Sequence, residues 1–493
     1  MSFFLERRIR FGQVALGFFL IVTLVIATGP GNALAYGLND PLRALDAVPS
    51  SPAKNLAQGV DPCELAVPLP ETVALFDAVE HALCHNPKTR EAWANIKFQA
   101  ATLGEKRAAY LPTINASASY GPVEKTTTYP GLPEFNSTLS TRSSDVNGSL
   151  NWVLYDFGLR AANLEQARQL LNAASAAQDA ALQTVFFTTA QHYYAVQAAQ
   201  GLTLSTKDAE RYAQQSFDVA DGKYKLGVGT LADRLAAKTA LDQATLKRVQ
   251  AAGDLKTAAG NLAIDMGVRP ETPITVPDAF ADINDPSFMS TAVNQLIDQA
   301  VDSHPKVLSA LAQVKAAQAQ VESVKAQGLP TISLFATDDR SNTPIQEVSS
   351  QEIVSTRTAG LQITIPLFEG FSRDYKIKEA RATVEEKEAE LSNVEQQVAL
   401  ETWTSFNDLK TQMTSLDATT SLSQSAHESF DVASGRYKAG VGSLLELLNA
   451  QNELANADQQ RVLALTRYRT ACLRLGASLG QLRLESLHGA DDY

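Results

Sequence analysis

Cysteine is scarce in this sequence, with three in 493 residues. That excludes a disulfide-stapled scaffold and any four-cysteine zinc site. There is no excess of basic residues: 42 Lys and Arg stand against 54 Asp and Glu, for a formal charge of -12. A general nucleic-acid binder would need a basic face, so that class is disfavoured. Aromatic residues make up only 7%. With abundant Ala, Gln, Leu and Glu, this points to long helices rather than a large globular core. Beyond the N-terminus no apolar run reaches ~20 residues, so the mature chain is expected to lack a transmembrane helix. No Gly-rich phosphate loop, G-x-S-x-G or paired His/Asp constellation appears in the long helices. The chain therefore does not read as an enzyme, and it calls for no cofactor.

The N-terminus reads as an export signal. Arg7, Arg8 and Arg10 form a basic region, Val14 to Ala27 an apolar core, and Ala33-Leu34-Ala35 a small-x-small cleavage site. Residues 1–35 are expected to be removed after Ala35; the alternative is a membrane anchor, for which the apolar run is short. With no cysteine nearby, a lipoprotein anchor is not expected. Loss of three Arg and one Glu takes the mature charge to -14.

An internal repeat organises the rest of the chain. Leu111-Pro112-Thr113-Ile114 recurs as Leu329-Pro330-Thr331-Ile332, an offset of 218, and His85-Asn86-Pro87-Lys88 aligns with Ser303-His304-Pro305-Lys306. Further on the offset is 213: residues 216–229 (SFDVADGKYKLGVG) and 429–442 (SFDVASGRYKAGVG) share eleven of fourteen positions. The expected organisation is a signal peptide (1–35), an N-terminal arm (36–68), a first repeat (69–267), a proline-rich connector (268–287), a second repeat (288–480) and an acidic tail (481–493).

Each repeat carries the same elements. Asn86 and His304 precede a proline, which favours the first helical position, and Leu-Pro ends that helix. Two strands come next. A proline-free stretch then runs from Leu159 to Leu226, or from Ser372 to Ala439, 68 residues in each case and roughly 100 Å long as helix. Gly-Val-Gly breaks it, and a return helix runs to Gly267 or Gly480. The first helix (~24 residues) and the return helix (~36) would together match the long rod if stacked end to end.

The strands are the most informative part. Ile114, Ala116, Ala118 and Tyr120 alternate with polar residues, as do Val146, Gly148, Leu150, Trp152 and Leu154. Ile332 and Leu334, then Ala359, Leu361, Ile363 and Ile365, repeat the pattern. Such alternation marks outer-membrane barrel strands, although a half-buried soluble sheet shows it too. Four strands cannot close a membrane barrel, and lipid forbids an open edge. Strands that span a membrane would therefore require several protomers; three would supply twelve strands. His81 and His85 stand at i, i+4, a metal-compatible spacing, but no third ligand is evident and a surface helix end is the expected reading.

From about Leu69 to Gly480 the plan resembles the TolC family of trimeric outer-membrane exit ducts of Gram-negative bacteria. The resemblance rests on the duplication, on Leu-Pro-Thr-Ile before a strand, and on Leu154-Tyr155-Asp156-Phe157-Gly158 and Pro366-Leu367-Phe368-Glu369-Gly370 after one. It rests also on Tyr224-x-x-Gly-Val-Gly-Thr and Tyr437-x-x-Gly-Val-Gly-Ser. It implies an α+β membrane protein, with four β-strands per protomer in a twelve-stranded trimeric outer-membrane barrel and long antiparallel helices in a periplasmic tunnel. The tip turns, Gly227-Val228-Gly229 and Gly440-Val441-Gly442, would meet a periplasmic adaptor bound to an inner-membrane ABC transporter or other pump. Tyr437 is similar to the family's gating tyrosine, Asp233 to its hydrogen-bonding partner, and Glu446 to an acid that forms a ring at the entrance, a natural cation site in a trimer. Asn449 replaces a second acid, and Gly442 a gating arginine. In an oxidising periplasm Cys63 and Cys84 are expected to pair, which leaves Cys472 as a buried thiol.

The tip sequence and the His-Asn-Pro-Lys-Thr-Arg-Glu-Ala-Trp stretch resemble the branch that serves type I secretion of toxins, including the adenylate-cyclase-haemolysin exporter. The expected function is thus a passive exit duct for protein secretion. Small-molecule efflux is the alternative. A soluble periplasmic coiled-coil scaffold is a third reading, from another class.

Overall fold

A computed structural model describes residues 40–54, 63, 70–277, 292–344 and 351–484. The expected signal peptide, its cleavage at Ala35, most of the arm, half of the connector and most of the tail lie outside them. Contacts divide the chain into residues 1–46 and residues 47–493. Of the first unit only residues 40–46 are described, where the Leu45 N–H donates to the Asp40 carboxylate.

The elements of the second unit run α1 (Leu75–His85), α2 (Pro87–Ala108), β1 (Thr113–Thr127), β2 (Ser137–Tyr155), α3 (Leu159–Lys225) and α4 (Leu231–Asp265). After them come α5 (Val293–Ser303), α6 (Pro305–Ala326), β3 (Thr331–Pro344), β4 (Gln351–Thr364), α7 (Ser372–Lys438) and α8 (Leu444–Ser478). The long helices α3 and α7 have 67 residues each, one fewer than their proline-free stretches. The 11-residue helices α1 and α5 precede the helices expected at Asn86 and His304. They are amphipathic: Leu75, Ala78, Val79, Ala82 and Leu83 give α1 one buried face.

The helices pack as four neighbouring rods. The first is α2 with α4, the second α3, the third α6 with α8, and the fourth α7. In the first and third rods two helices meet end to end. Asn86 caps α2 by accepting from the Lys88 N–H (2.9 Å), while its Nδ2 donates to the Asp265 carbonyl at the end of α4 (2.8 Å). Gly267 lies so close to His85 that a Cβ would fall 2.8 Å from the His85 carbonyl oxygen, and at Gly480 one would fall 2.8 Å from Pro305 Cδ. Both glycines also have positive φ, which Gly adopts at little cost.

The apolar contacts form several separate clusters. Leu83, Leu182, Phe186, Leu262 and Met266 centre one. Val398, Leu409, Tyr468 and Leu475 centre a second, against which Cys472 is only partly buried rather than enclosed. Phe430, Tyr437, Leu444, Leu447 and Leu454 form a third near the hairpin turns. Four glutamines of α3 lash extended chain onto these helices. Gln178 Nε2 donates to the Pro52 carbonyl, Gln197 Nε2 to Pro277 and Gln200 Nε2 to Val276. The Gln183 amide grips Leu482 at both ends, donating to its carbonyl (3.0 Å) and accepting from its N–H (3.1 Å).

The strands form one antiparallel sheet in the order β1-β2-β3-β4, and they run past the segments of clean alternation. Cross-strand partners share a face, so register decides whether the four patterns add. They do. Ile114, Leu150, Ala336 and Ala359 form one row, and Trp152, Leu334 and Leu361 the next. The other face carries Thr113, Asn151, Phe335 and Gly360, then Asn115, Ser149, Thr337 and Thr358. A bulge at Leu154 breaks the alternation read from the sequence: Tyr155, not Leu154, stands opposite Ile332 and completes a row with Ile363. The apolar rows end where Gly148, Asp338 and Arg357 align, with Arg357 Nε 3.2 Å from the Asp338 carboxylate.

Candidate functional site

The residues singled out from the sequence gather where the α3–α4 and α7–α8 hairpins turn. Gly227 (φ 75°) and Gly440 (φ 79°) take the left-handed conformation that ends each long helix. The Val228 and Gly229 N–H groups both donate to the Lys223 carbonyl at 3.0 Å, and those of Val441 and Gly442 to the Arg436 carbonyl at 3.0 Å. A Cβ on Gly229 would meet Lys223 Cβ at 2.9 Å. The repeated Gly-Val-Gly is thus explained by the turn itself.

Asp233 and Glu446 occupy the same place in the two return helices. The Thr230 hydroxyl accepts from the Asp233 N–H (3.0 Å) and donates to its carboxylate (2.7 Å), and the Ser443 hydroxyl accepts from the Glu446 N–H (3.1 Å). Both acids therefore sit in a first helical turn, where negative charge is favoured. Glu446 also faces Arg436, whose Nε is 3.2 Å from its carboxylate. Glu446 and Asn449 line one groove between α7 and α8 together with Glu428 and Glu453. Asn449 thus stands among three carboxylates. Glu453 lies seven residues beyond Glu446, on the same helical face.

Tyr437 is buried among Phe430, Leu444 and Leu447. Burial, and then the charge of Asp233, push its phenol above the usual range. The structure thus brings Tyr437 within electrostatic reach of Asp233, although that carboxylate's hydrogen bond goes to Thr230. Sequence reading did not reveal the basic residues here. Lys223 Nζ lies 3.8 Å from the Tyr437 ring centroid and donates to the Tyr437 carbonyl at 2.9 Å. Asp221 is held by Lys225 and Arg234, each at 2.6 Å, and these two partners keep its carboxyl below the usual range.

The remaining candidates lie far from the turns in sequence. Cys63 and Cys84 are joined by a disulfide. His81 and His85 stack with ring centroids 4.1 Å apart. His81 Nδ1 donates to the Met266 carbonyl and His85 Nδ1 to the His81 carbonyl. Among the described residues no three metal-ligating side chains converge. His192, which no sequence motif marks, pairs with Asp265. That hydrogen bond, opposed by burial and aided by the charge of Asp265, raises the imidazole pKa.

Compared with known proteins, the sequence matches the outer membrane efflux protein family model over residues 78–267 and 296–481. It is 32% identical to Protein CyaE of Bordetella pertussis over 470 residues, covering 94% of this chain and 96% of that one. It is 22% identical to Outer membrane protein TolC of Escherichia coli, covering 84% of this chain and 83% of that one. To Proteases secretion protein PrtF of Dickeya chrysanthemi it is 23% identical over 57% of this chain and 61% of that one. Among solved structures, the CmeC outer membrane channel of Campylobacter jejuni superposes with a TM-score of 0.71 at 18% identity, over 83% of this chain and 86% of that one.

Proposed function

The chain belongs to the outer membrane efflux protein family, and from that premise we propose how this exit duct is built and what it carries. The family consists of outer-membrane channels rather than enzymes. Three copies close the structure. The observation that carries this is the sheet: it has four strands, one apolar face, and β1 and β4 at its edges. An unpaired edge is not tolerated in lipid, so β4 of one copy pairs with β1 of the next, and three copies make a twelve-stranded barrel. The outermost rods support the same ring. Leu235, Leu246 and Val249 on α4 and Leu400, Trp403 and Leu422 on α7 are exposed large hydrophobics. Two different faces meeting in a closed ring is the heterologous arrangement. The repeats at 69–267 and 288–480 then each supply two strands and one hairpin.

The apolar rows face lipid and the polar rows the lumen. The hairpin turns form the periplasmic entrance, where Gly227 to Gly229 and Gly440 to Gly442 meet an adaptor coupled to an inner-membrane pump. Tyr437 and Asp233 belong to the gate, and Glu446, beside Asn449, to an acidic ring. The cargo class is protein, by type I secretion through an ABC transporter. The likeness to a protease-secretion protein and to the toxin-export branch favours this over drug efflux. Mass measurement in detergent should give three chains per particle; a stable folded monomer would overturn the architecture. Loss of the chain should block release of a secreted polypeptide while leaving drug susceptibility unchanged. The opposite pattern would assign the duct to efflux.

A further inference from the structure

Lys223 and Arg436 hold equivalent places in the two halves. Each follows the repeated Ser-Phe-Asp-Val-Ala segment, each lies four residues before the first glycine of the closing Gly-Val-Gly, and each carbonyl receives two N–H groups of that turn. Their side chains go to different places. Arg436 stays within its own hairpin, on Glu446. Lys223 crosses from α3 to the other hairpin, covers the Tyr437 ring at 3.8 Å and donates to the Tyr437 carbonyl at 2.9 Å.

Three favourable contributions meet at this ammonium. It lies over an aromatic face. It donates to a carbonyl in the last turn of α7, which also receives the Gly440 N–H at 3.2 Å and the Ala439 N–H. It also places positive charge at the negative end of that helix. The neighbouring carboxylate does not compete for it, since Asp221 is held by Lys225 and Arg234. The other polar contacts between the hairpins near this end are longer: Gln451 lies 3.4 Å from both the Ser216 hydroxyl and the Ala209 carbonyl.

We propose that Lys223 is a positioning residue of the gate: acting through Tyr437, it holds the α7–α8 hairpin against α3 and so biases the entrance toward its closed state. This rests on reading the hairpin turns as the entrance. The contact needs a cation, so it differs from any phenol–carboxylate link between Tyr437 and Asp233.

The test is single-channel recording of the full-length protein in planar bilayers. Lys223→Met keeps the aliphatic stem and removes the charge and the hydrogen bond. It should raise the open fraction about fivefold, equivalent to ~1 kcal/mol for one such contact, with no change in the mass of the assembled particle. Lys223→Arg should restore closure. In a Tyr437→Leu background, Lys223→Met should add less than it does alone, because the aromatic face is already gone while the contact with the backbone carbonyl of residue 437 remains. Lys223→Gln serves as the second neutral variant if the methionine form does not assemble. Wild-type gating in the neutral variant, or full additivity with Tyr437→Leu, would overturn the proposal. Tyr437→Phe with Asp233→Ala, recorded alongside, separates the two ways to fail. If that pair opens the duct and Lys223→Met does not, the role of Lys223 falls and the gate stands. If neither changes conduction, the entrance itself has been misplaced.

Discussion

Tyr437 is 5% exposed, whereas Tyr224, its counterpart 213 residues earlier in the repeated sequence, is 39% exposed. The two tyrosines end equivalent helices in nearly identical segments. Tyr437 sits in a cluster whose buried large members, Phe430, Leu444 and Leu447, come from α7 and α8, and to which the first hairpin adds Ala220, Ala237 and the partly buried Tyr212, Phe217 and Val219. Tyr224 is left outside, with the Arg234 guanidinium 5.6 Å from its ring centroid. Nearly identical sequence has thus been placed in two different surroundings.

Glu446 supplies the first prediction. Glu446→Ala should leave conductance close to wild type and weaken block by multivalent cations, since it removes an acid and not the gate. Arg436→Ala should do the reverse and strengthen block, because Arg436 partly neutralises Glu446. Unchanged block in both variants would place the acidic constriction elsewhere.

The sheet gives a second. Leu150 and Ile363 lie in apolar rows, Asn151 and Gln362 in polar ones. Arg at Leu150 or Ile363 should cost ~2–4 kcal/mol, and Arg at Asn151 or Gln362 far less. Folded yield and denaturant midpoints of the four variants would measure the contrast, and equal losses would argue for a sheet in water.

The disulfide gives a third. Cys63 and Cys84 are 21 residues apart, and closing a loop of that size stabilises by about 3 kcal/mol in the chain-entropy model. Cys84→Ser, or reductant on the wild type, should lower the unfolding midpoint accordingly. Cys472→Ser should respond to reductant as wild type does, and a reductant-insensitive wild type would contradict the linkage.

Histidine titration gives a fourth, with two signs. The pKa of His192 is raised in the fold by Asp265. Its contribution is therefore complete below the ordinary value of 6.5 and fades as pH rises through the raised one. The pKa values of His81 and His304 are lowered, chiefly by burial, so they oppose folding as pH falls below 6.5. Melting temperature against pH should lose part of its decline on the alkaline side in His192→Gln, and part of its acid-side decline in His304→Asn. Curves parallel to wild type would remove these groups from the account.

The long helices were legible because glycine and proline punctuate them: the Gly-Val-Gly turns closed α3 and α7 within a residue of the expected ends. The facing of the strands was legible from alternation, which cross-strand register then brought into line. The bulge at Leu154 was not, since no local residue type marks it. The short helix that carries His81 and His85 was expected, but its counterpart α5 was not, and the burial of both depends on distant partners. The same holds for the four glutamines of α3, which look like ordinary helix formers until Pro52, Val276, Pro277 and Leu482 are folded against them. Near the turns, the sequence singled out Asp233, Glu446 and Tyr437, whose sites of action stay a proposal, while their places at the ends of the helices were readable from Gly-Val-Gly. It missed Lys223, Arg436 and Asp221, whose partners are set by how two hairpins pack.

The end-to-end helix contacts have a mechanical consequence. A continuous helix resists twisting because every turn is hydrogen-bonded to the next. A butt joint such as the one between α4 and α2 has no such ladder across it; there Asn86 Nδ2 reaches the Asp265 carbonyl and His81 the Met266 carbonyl. Each repeat therefore sets one unbroken strut, α3 or α7, beside a jointed one. Under torque at the hairpin turns the unbroken struts would be the stiff members, and Gly267 and Gly480 mark where the rods beside them would give.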